Sequence, residues 1–227
     1  MTTNPERPIR IGLIVSTTRT TSLVEEGQLQ ACLLAIDEVN SRGKLRFKAV
    51  IEDIHSNPQV AAEKAYKLLD RDKVDLLVGC WTSACRKAVL PVLDETGGLL
   101  LYPTNYEGQE AHPHVFYLGA TPNQQVESTL SWVVGNLASR FVLLGSDYIY
   151  PRSANRQVRE WVERIDPRMI VLEKYFPLGH TDFGACLEEL RPILRTEPPT
   201  VIFTNVVGSI VADFYCQYHQ ANFRSPI

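Results

Sequence analysis

The chain has 227 residues, a formal net charge of −3 and 44% hydrophobic residues, which is typical of a globular protein. The slight negative charge gives no electrostatic basis for binding nucleic acid or a membrane surface, and we expect neither. The N-terminal segment is polar and its first apolar run has only about seven residues, so the sequence predicts neither an export signal nor membrane insertion. Five scattered cysteines favour reduced thiols over a disulfide framework.

Short apolar runs alternate with helical patterns in the first half of the chain. Five apolar runs predict strands, at 10–16, 46–54, 73–79, 98–103 and 115–119. Three segments with apolar residues at helical spacing predict helices, at 25–43, 57–72 and 84–97. Pro91 predicts a local distortion in the third of these helices.

The alternation starts again in the second half. Helices are predicted at 123–137, 153–165, 182–195 and 209–220, and strands at 140–147, 168–176 and 200–206. Strands that are apolar on both faces and separated by helices indicate a parallel sheet covered on both sides. We therefore predict an α/β fold of two βα-alternating lobes, residues 8–120 and a partial lobe at 121–227, joined by a hinge in "GATPN" (119–123).

Ligands of such sheets gather outside the carboxyl ends of the strands, so the strand-to-helix turns are the places to search. The first turn, "STTRTTS" (16–22), is rich in hydroxyls but has no glycine. Neither the glycine fingerprint of dinucleotide sites nor that of phosphate-binding loops is present, and no cofactor is expected.

The turn after the third strand reads "GCWTSACRK" (79–87). Cys80 and Cys85 have no partner ligands at zinc-site spacing, so no metal is expected. Ser83 lacks a nucleophile elbow and a histidine in a convincing base position, which argues against an enzyme. Two interpretations stay open: Ser83 and free N–H groups at a helix N-terminus bind a carbonyl or carboxylate oxygen, or Thr82 or Ser83 only caps the helix.

Tyrosines follow two further strand ends. Tyr102 and Thr104 come directly after the fourth strand, and Tyr148 and Tyr150 follow a strand of the second lobe. A tyrosine combines an apolar ring with a hydrogen-bonding tip, which suits a small polar solute. Because neither turn contains a catalytic acid–base pair, we expect a cleft that encloses its ligand without reacting with it.

Several segments together resemble the type I periplasmic-binding-protein fold. Within that fold they are similar to the branch that contains the amide sensor of bacterial aliphatic-amidase operons and the solute receptors of urea transporters. The segments span nearly all of 8–227, and the second and fourth are the most specific: "VGCWTSACRKAVLPV", "YPTNYEG", "PNQQ", "GSDYIYPRSAN", "PLGHTDF" and "FTNVVG".

The resemblance implies two lobes that close on a small amide or urea. It implies that Ser83 and Thr104 touch the amide and that aromatic residues wall the pocket, here Trp81, Tyr102, Tyr148 and Tyr150. Position 81 is tryptophan where the amide sensors have tyrosine, which bears on the size of the pocket. Family members continue for well over a hundred residues, so we expect incomplete lobes, a single connection at the hinge and weaker binding.

Two functions follow from the resemblance. The first is a cytoplasmic sensor that controls amidase expression by holding or releasing an antiterminator-type regulator, and the polar N-terminal segment favours it. The alternative is the substrate-binding component of a urea or short-chain amide transporter, which would be periplasmic if an export signal had been removed. The sequence leaves assembly as a homo-oligomer open.

Overall fold

The structure is a computed structural model that describes residues 7–43 and 45–223. Among these residues, none of the helices is both long and apolar enough to cross a membrane. The chain forms two compact units. Unit 1 runs to Asn105 and also contains Gln109–Gly119, and unit 2 contains Tyr106–Gly108 and the chain from Ala120 onward. The chain therefore passes between the units three times, so the expectation of a single connection is wrong.

Unit 1 is a five-stranded parallel sheet with the strand order β2-β1-β3-β4-β5. Its strands are β1 (Ile9–Val15), β2 (Phe47–Asp53), β3 (Leu76–Gly79), β4 (Leu100–Tyr102) and β5 (Val115–Tyr117). Its helices are α1 (Ser22–Ser41), α2 (Pro58–Tyr66), which continues as a π-helix over Lys67–Arg71, and α3 (Ser83–Thr96).

The two faces of β1 explain how the helices cover this sheet. Leu13 and Val15 pack with Leu29 of α1 on one face. On the other face, a Cβ at Gly12 would lie 2.7 Å from a methyl group of Leu77 and 3.1 Å from one of Leu68, so only glycine leaves room for the π-helix there. The apolar run at 10–16 is thus buried on both sides, as a central parallel strand requires.

Unit 2 is a three-stranded parallel sheet with the order β7-β6-β8. Its strands are β6 (Arg140–Ser146), β7 (Ile170–Phe176) and β8 (Thr200–Asn205). Its helices are α4 (Pro122–Asn136), α5 (Ile149–Glu163), α6 (Gly184–Leu194) and α7 (Ile210–Gln220), with a short 3₁₀ turn at Pro167–Met169.

Alternate residues of β6 belong to two different cores in unit 2. Val142 packs in a cluster that contains Phe183 and Phe214 from the α6 and α7 side. Phe141 points the other way, into a cluster with Leu130 of α4 and Val158 of α5. Each face of the sheet therefore carries its own pair of helices, and the predicted α/β class with parallel sheets is confirmed.

Most element boundaries agree with the sequence prediction to within a few residues. Helix α5 is an exception, because it begins at Ile149 instead of residue 153. Pro151 does not prevent this early start, since the first turn of a helix does not need the N–H that proline lacks. Helix α3 continues through Pro91 to Thr96, and all five cysteines are free thiols.

Candidate functional site

The turn after β3 is conformationally constrained. Gly79 has a φ of 137°, and a Cβ there would lie 2.1 Å from the Ile14 carbonyl oxygen of β1. Cys80 follows in the left-handed region with a φ of 61°. Thr82 Oγ1 then accepts a hydrogen bond from the Cys85 N–H at 3.1 Å, so Thr82 is the residue that caps α3. Ser83 is thereby left as the first residue of the helix, with its hydroxyl available for another role.

The predicted contacts of unit 1 differ in how much of their surface is accessible. Ser83 is 1% exposed and Tyr102 is fully buried, whereas Trp81 and Thr104 are half-buried. The Tyr102 hydroxyl donates to the Trp81 carbonyl oxygen at 3.0 Å, which ties the end of β4 to the turn after β3. The structure therefore brings these four residues into adjacent turns and leaves mainly Trp81 and Thr104 to face a solute.

A buried arginine lies beneath these turns. Arg86 is completely buried, and its Nη1 donates to Ser83 Oγ at 3.3 Å. Its Nε donates to Glu110 Oε1 at 2.8 Å, and its guanidinium carbon lies 4.7 Å from the centre of the Tyr102 ring. A charge at such a position needs partners, and the ion pair together with the ring face supplies them.

Glu110 is the counter-ion of this arginine and is itself saturated with donors. Lys87 Nζ and the Tyr117 hydroxyl each donate to it at 2.7 Å. Burial raises the pKa of Glu110, but the hydrogen bonds from Arg86, Lys87 and Tyr117 outweigh that effect and bring the pKa to about 2. The carboxylate therefore stays ionised at any physiological pH and fixes the β4–β5 loop to α3.

The hydroxyl-rich turn after β1 is closed on itself around a second buried acid, Glu25. The Ser16 N–H donates to Glu25 Oε2 at 2.7 Å, and Thr21 Oγ1 donates to Oε1 at 2.5 Å. Ser16 Oγ in turn accepts from the Ser56 N–H at 2.9 Å. Burial raises the pKa of Glu25 above its ordinary value. These hydroxyls hold the turn together, which leaves the turns after β3 and β4 as the better candidates for binding.

The β4–β5 loop belongs to both units in succession. Thr104 lies in unit 1, where its carbonyl oxygen approaches Gly119 so closely that a Cβ on Gly119 would lie 2.0 Å away. Tyr106 and Glu107 belong to unit 2, where the Glu107 carbonyl accepts from Gln157 Nε2 at 3.2 Å. The loop that carries Thr104 is therefore fixed by close packing on one side and by a hydrogen bond within unit 2 on the other.

The two predicted contacts of unit 2 lie at the start of α5. Tyr148 precedes the helix and Tyr150 lies in its first turn, and both are half-buried. Burial raises the pKa of Tyr150, so its hydroxyl stays protonated and can donate. Asp147 accepts from Arg152 Nε at 2.6 Å, and this hydrogen bond lowers its pKa. Asp147 thus orients the first turn of α5 and is not poised as a catalytic base.

Metal ligands do not cluster in the part of the chain that the structure describes: no group of three or more histidine, cysteine, aspartate or glutamate side chains could hold an ion there. The sequence analysis missed Arg86, Glu110 and Glu25. A signal existed for two of them, because Arg86 shares a helical face with the buried Val89 and Leu93, and Glu25 shares one with Leu29. A charged residue on the apolar face of a helix is a mark of a buried polar network.

Comparisons with known proteins agree with this architecture. A family model described as a periplasmic binding protein domain matches residues 9–226. Among similar solved structures are the branched-chain amino acid transporter substrate-binding protein LivJ from Streptococcus pneumoniae, in complex with isoleucine, and the leucine-binding protein LivK from Thermotoga maritima. LivJ is 20% identical with a TM-score of 0.85, and the alignment covers 97% of this chain and 63% of LivJ. LivK is 20% identical with a TM-score of 0.83, and 96% of this chain and 61% of LivK are covered.

A solute-binding protein of an ABC transporter from R. palustris, solved in complex with benzoate, is similar as well. It is 18% identical with a TM-score of 0.83, and the match covers 95% of this chain and 60% of that one. At these identities the likeness concerns the fold, and the chain spans about three fifths of the length of these structures. The relatives are ligand-binding proteins and not enzymes. Because the family model matches all but a few residues at either end, the chain belongs to the family of periplasmic binding protein domains.

Proposed function

We propose that this chain is the ligand-binding part of a sensor for small amides or urea. The observation that carries the proposal is the pair of adjacent turns after β3 and β4, which place hydroxyl groups and aromatic side chains at the carboxyl edge of a parallel sheet. This edge is where open α/β sheets bind their ligands. The segments "GSDYIYPR" and "YPTNYEG" add the resemblance to amide and urea binders.

The ligand is a small neutral molecule with one carbonyl group and N–H groups. Ser83 and Thr104 hydrogen-bond to it, and Trp81 and Tyr102 form the apolar wall on unit 1. Tyr148 and Tyr150 contribute from unit 2. A hydroxyl can both donate and accept, so it suits an amide or urea, which presents both kinds of group. No cofactor, metal or catalytic residue takes part.

The binding protein acts in the cytoplasm by holding an antiterminator-type regulator and releasing it when the amide binds. A second candidate is the substrate-binding component of a urea or short-chain amide transporter, which would work in the periplasm. The similar solved structures favour this second role, because several of them are transporter solute-binding proteins. Pull-down of a regulator protein, with and without acetamide, separates the two roles, and it also reports whether the chain assembles with itself.

Calorimetry with acetamide and urea on Ser83→Ala and Thr104→Val tests the binding site. Each variant removes one hydrogen bond and should weaken binding by about 1 kcal/mol, or roughly fivefold. Ser128→Ala and Thr129→Val are matched controls, because both hydroxyls lie exposed on α4. Unchanged affinity in both site variants would remove the assignment of the ligand to these turns.

Selectivity for size tests the aromatic wall. If Trp81 encloses the solute, overfilling the site with butyramide in place of acetamide should cost about 1–3 kcal/mol. Trp81→Ala should then reduce the preference for acetamide. An unchanged ranking of the two amides in this variant would mean that the indole belongs to the core only.

A further inference from the structure

Two irregular segments meet at one side chain in unit 1. Arg86 contacts Ser83 in the turn after β3 and Glu110 in the β4–β5 loop, and it stacks on Tyr102 at the end of β4. We call these four residues the Arg86 cluster. Neither segment is held by sheet hydrogen bonds along its length, so their relative position depends on contacts of this kind. The cluster is buried, and its geometry is therefore not averaged by solvent.

The chemistry of the cluster calls for arginine in particular. Nη1 donates to Ser83 at 3.3 Å, while Nε and Nη2 donate to the two oxygens of Glu110 at 2.8 and 3.4 Å. One planar fork thus serves two partners in fixed directions. A lysine at this position would keep the charge but could not maintain all three directions from a single ammonium nitrogen.

We propose that Arg86 is a positioning residue of the candidate site, which acts through Ser83 and Tyr102 and holds the turn after β3 in register with the β4–β5 loop. Arg86 does not need to touch the ligand, since it lies beneath the residues that do. Tyr102 transmits the constraint to Trp81, whose carbonyl oxygen accepts the Tyr102 hydroxyl at 3.0 Å.

The same contact determines which ligand atom Ser83 prefers. Arg86 donates to the Ser83 oxygen, so the single hydroxyl hydrogen of Ser83 is the group directed to a ligand. Ser83 therefore selects an acceptor, such as the carbonyl oxygen of an amide or urea. This statement about the ligand rests on the proposed function, whereas the positioning of the turn can be measured without any ligand.

The first experiment is ligand-free and follows the fluorescence of Trp81. Replacing Trp132 and Trp161 by phenylalanine leaves Trp81 as the single indole. Arg86→Lys should then raise the iodide quenching constant of Trp81 by about twofold, because loss of the fixed hydrogen bonds lets the turn open. Arg191→Lys is the matched control, since Arg191 also pairs with a glutamate, Glu188, and stacks on an aromatic ring in unit 2. It should leave the quenching of Trp81 unchanged.

The second experiment is a double-mutant cycle on acetamide affinity. Arg86→Lys should weaken binding roughly tenfold in the wild-type background, as expected for loss of a hydrogen bond to a charged group. In the Ser83→Ala background it should weaken binding by less than about twofold, because Arg86 acts through Ser83. A residue that merely stabilised the fold would give equal effects in both backgrounds.

The outcomes separate the two proposals. If the wild-type chain binds neither acetamide nor urea while Arg86→Lys still exposes Trp81, the proposed function fails and the positioning role stands. If acetamide binds but Arg86→Lys changes neither quenching nor affinity, or acts equally in both backgrounds, the positioning role is overturned. Should Arg86→Lys not fold, Glu110→Gln breaks the same pair from the loop side and is measured in the same two assays, with the same results expected.

Discussion

Replacing Glu110 by glutamine should make the stability of unit 1 less sensitive to acid. In the wild-type protein the pKa of Glu110 is lowered from 4.5 to about 2. A carboxyl with a lowered pKa stabilises the folded state at pH values above its unfolded pKa, and it loses that contribution as the pH falls towards the folded pKa. The contribution of Glu110 is therefore complete above about pH 5 and disappears between there and pH 2.

The magnitude follows from the size of the shift. At 1.36 kcal/mol per pKa unit, the shift corresponds to at most about 3 kcal/mol of unfolding free energy. The Glu110 side chain is 14% exposed and its partner Lys87 is largely solvated, so solvent screening reduces the figure to about 1–2 kcal/mol. Leaving the buried Arg86 without its counter-ion adds to the cost of the variant at neutral pH.

Urea denaturation at a series of pH values and constant ionic strength provides the assay. The difference in unfolding free energy between wild type and Glu110→Gln should be largest near pH 7 and should shrink as the pH falls from 4.5 towards 3. Glu188→Gln is the control, because that carboxylate pairs with Arg191 at the surface and should change stability little. A difference for Glu110→Gln that does not vary with pH would refute the role of the ion pair.

Two further substitutions probe other parts of the molecule. Gly119→Ala would push a methyl group into the Thr104 carbonyl and should lower both stability and acetamide affinity, whereas Gly135→Ala, in open space on α4, should be neutral or stabilise the helix by about 1 kcal/mol; thermal melts and calorimetry check both, and equal effects would contradict the packing argument. Phe183→Ala removes a buried ring that contacts Phe214 at a centroid distance of 5.2 Å, and it should cost about 3–5 kcal/mol in urea denaturation. A loss below about 1 kcal/mol would show that the site collapses or that the ring is not packed as described.

The order of strands and helices could be predicted from the sequence because each strand is a short apolar run and each helix has a regular apolar spacing. The strand at 140–147 is an example: Val142 and Phe141 face opposite cores, which requires an apolar residue at every position. The start of α5 at Ile149 was missed, because Pro151 was taken as part of the preceding turn. Propensity alone does not separate a proline before a helix from one within its first turn.

The contacts beneath the candidate site could not be predicted in the same way. Arg86 and Glu110 are 24 residues apart, and local patterns carry no information about a pairing over that distance. The sequence left open whether Thr82 or Ser83 caps α3, and the choice of Thr82 depends on the backbone of the turn after Gly79. The roles of Trp81 and Thr104 towards a ligand stay predictions.

The three passages of the chain between its units have a consequence for folding during synthesis. Tyr106–Gly108 leave the ribosome directly after the first strands of unit 1, yet they belong to unit 2. The Glu107 carbonyl finds its partner Gln157 only after 50 more residues have been made, which takes about 3–10 seconds at ordinary rates of translation. During that time β5 can add to the sheet of unit 1 while the loop before it has no partner in unit 2. Unit 1 therefore completes its sheet around a loop that closes last, and neither unit can be obtained intact by cutting the chain at a single point.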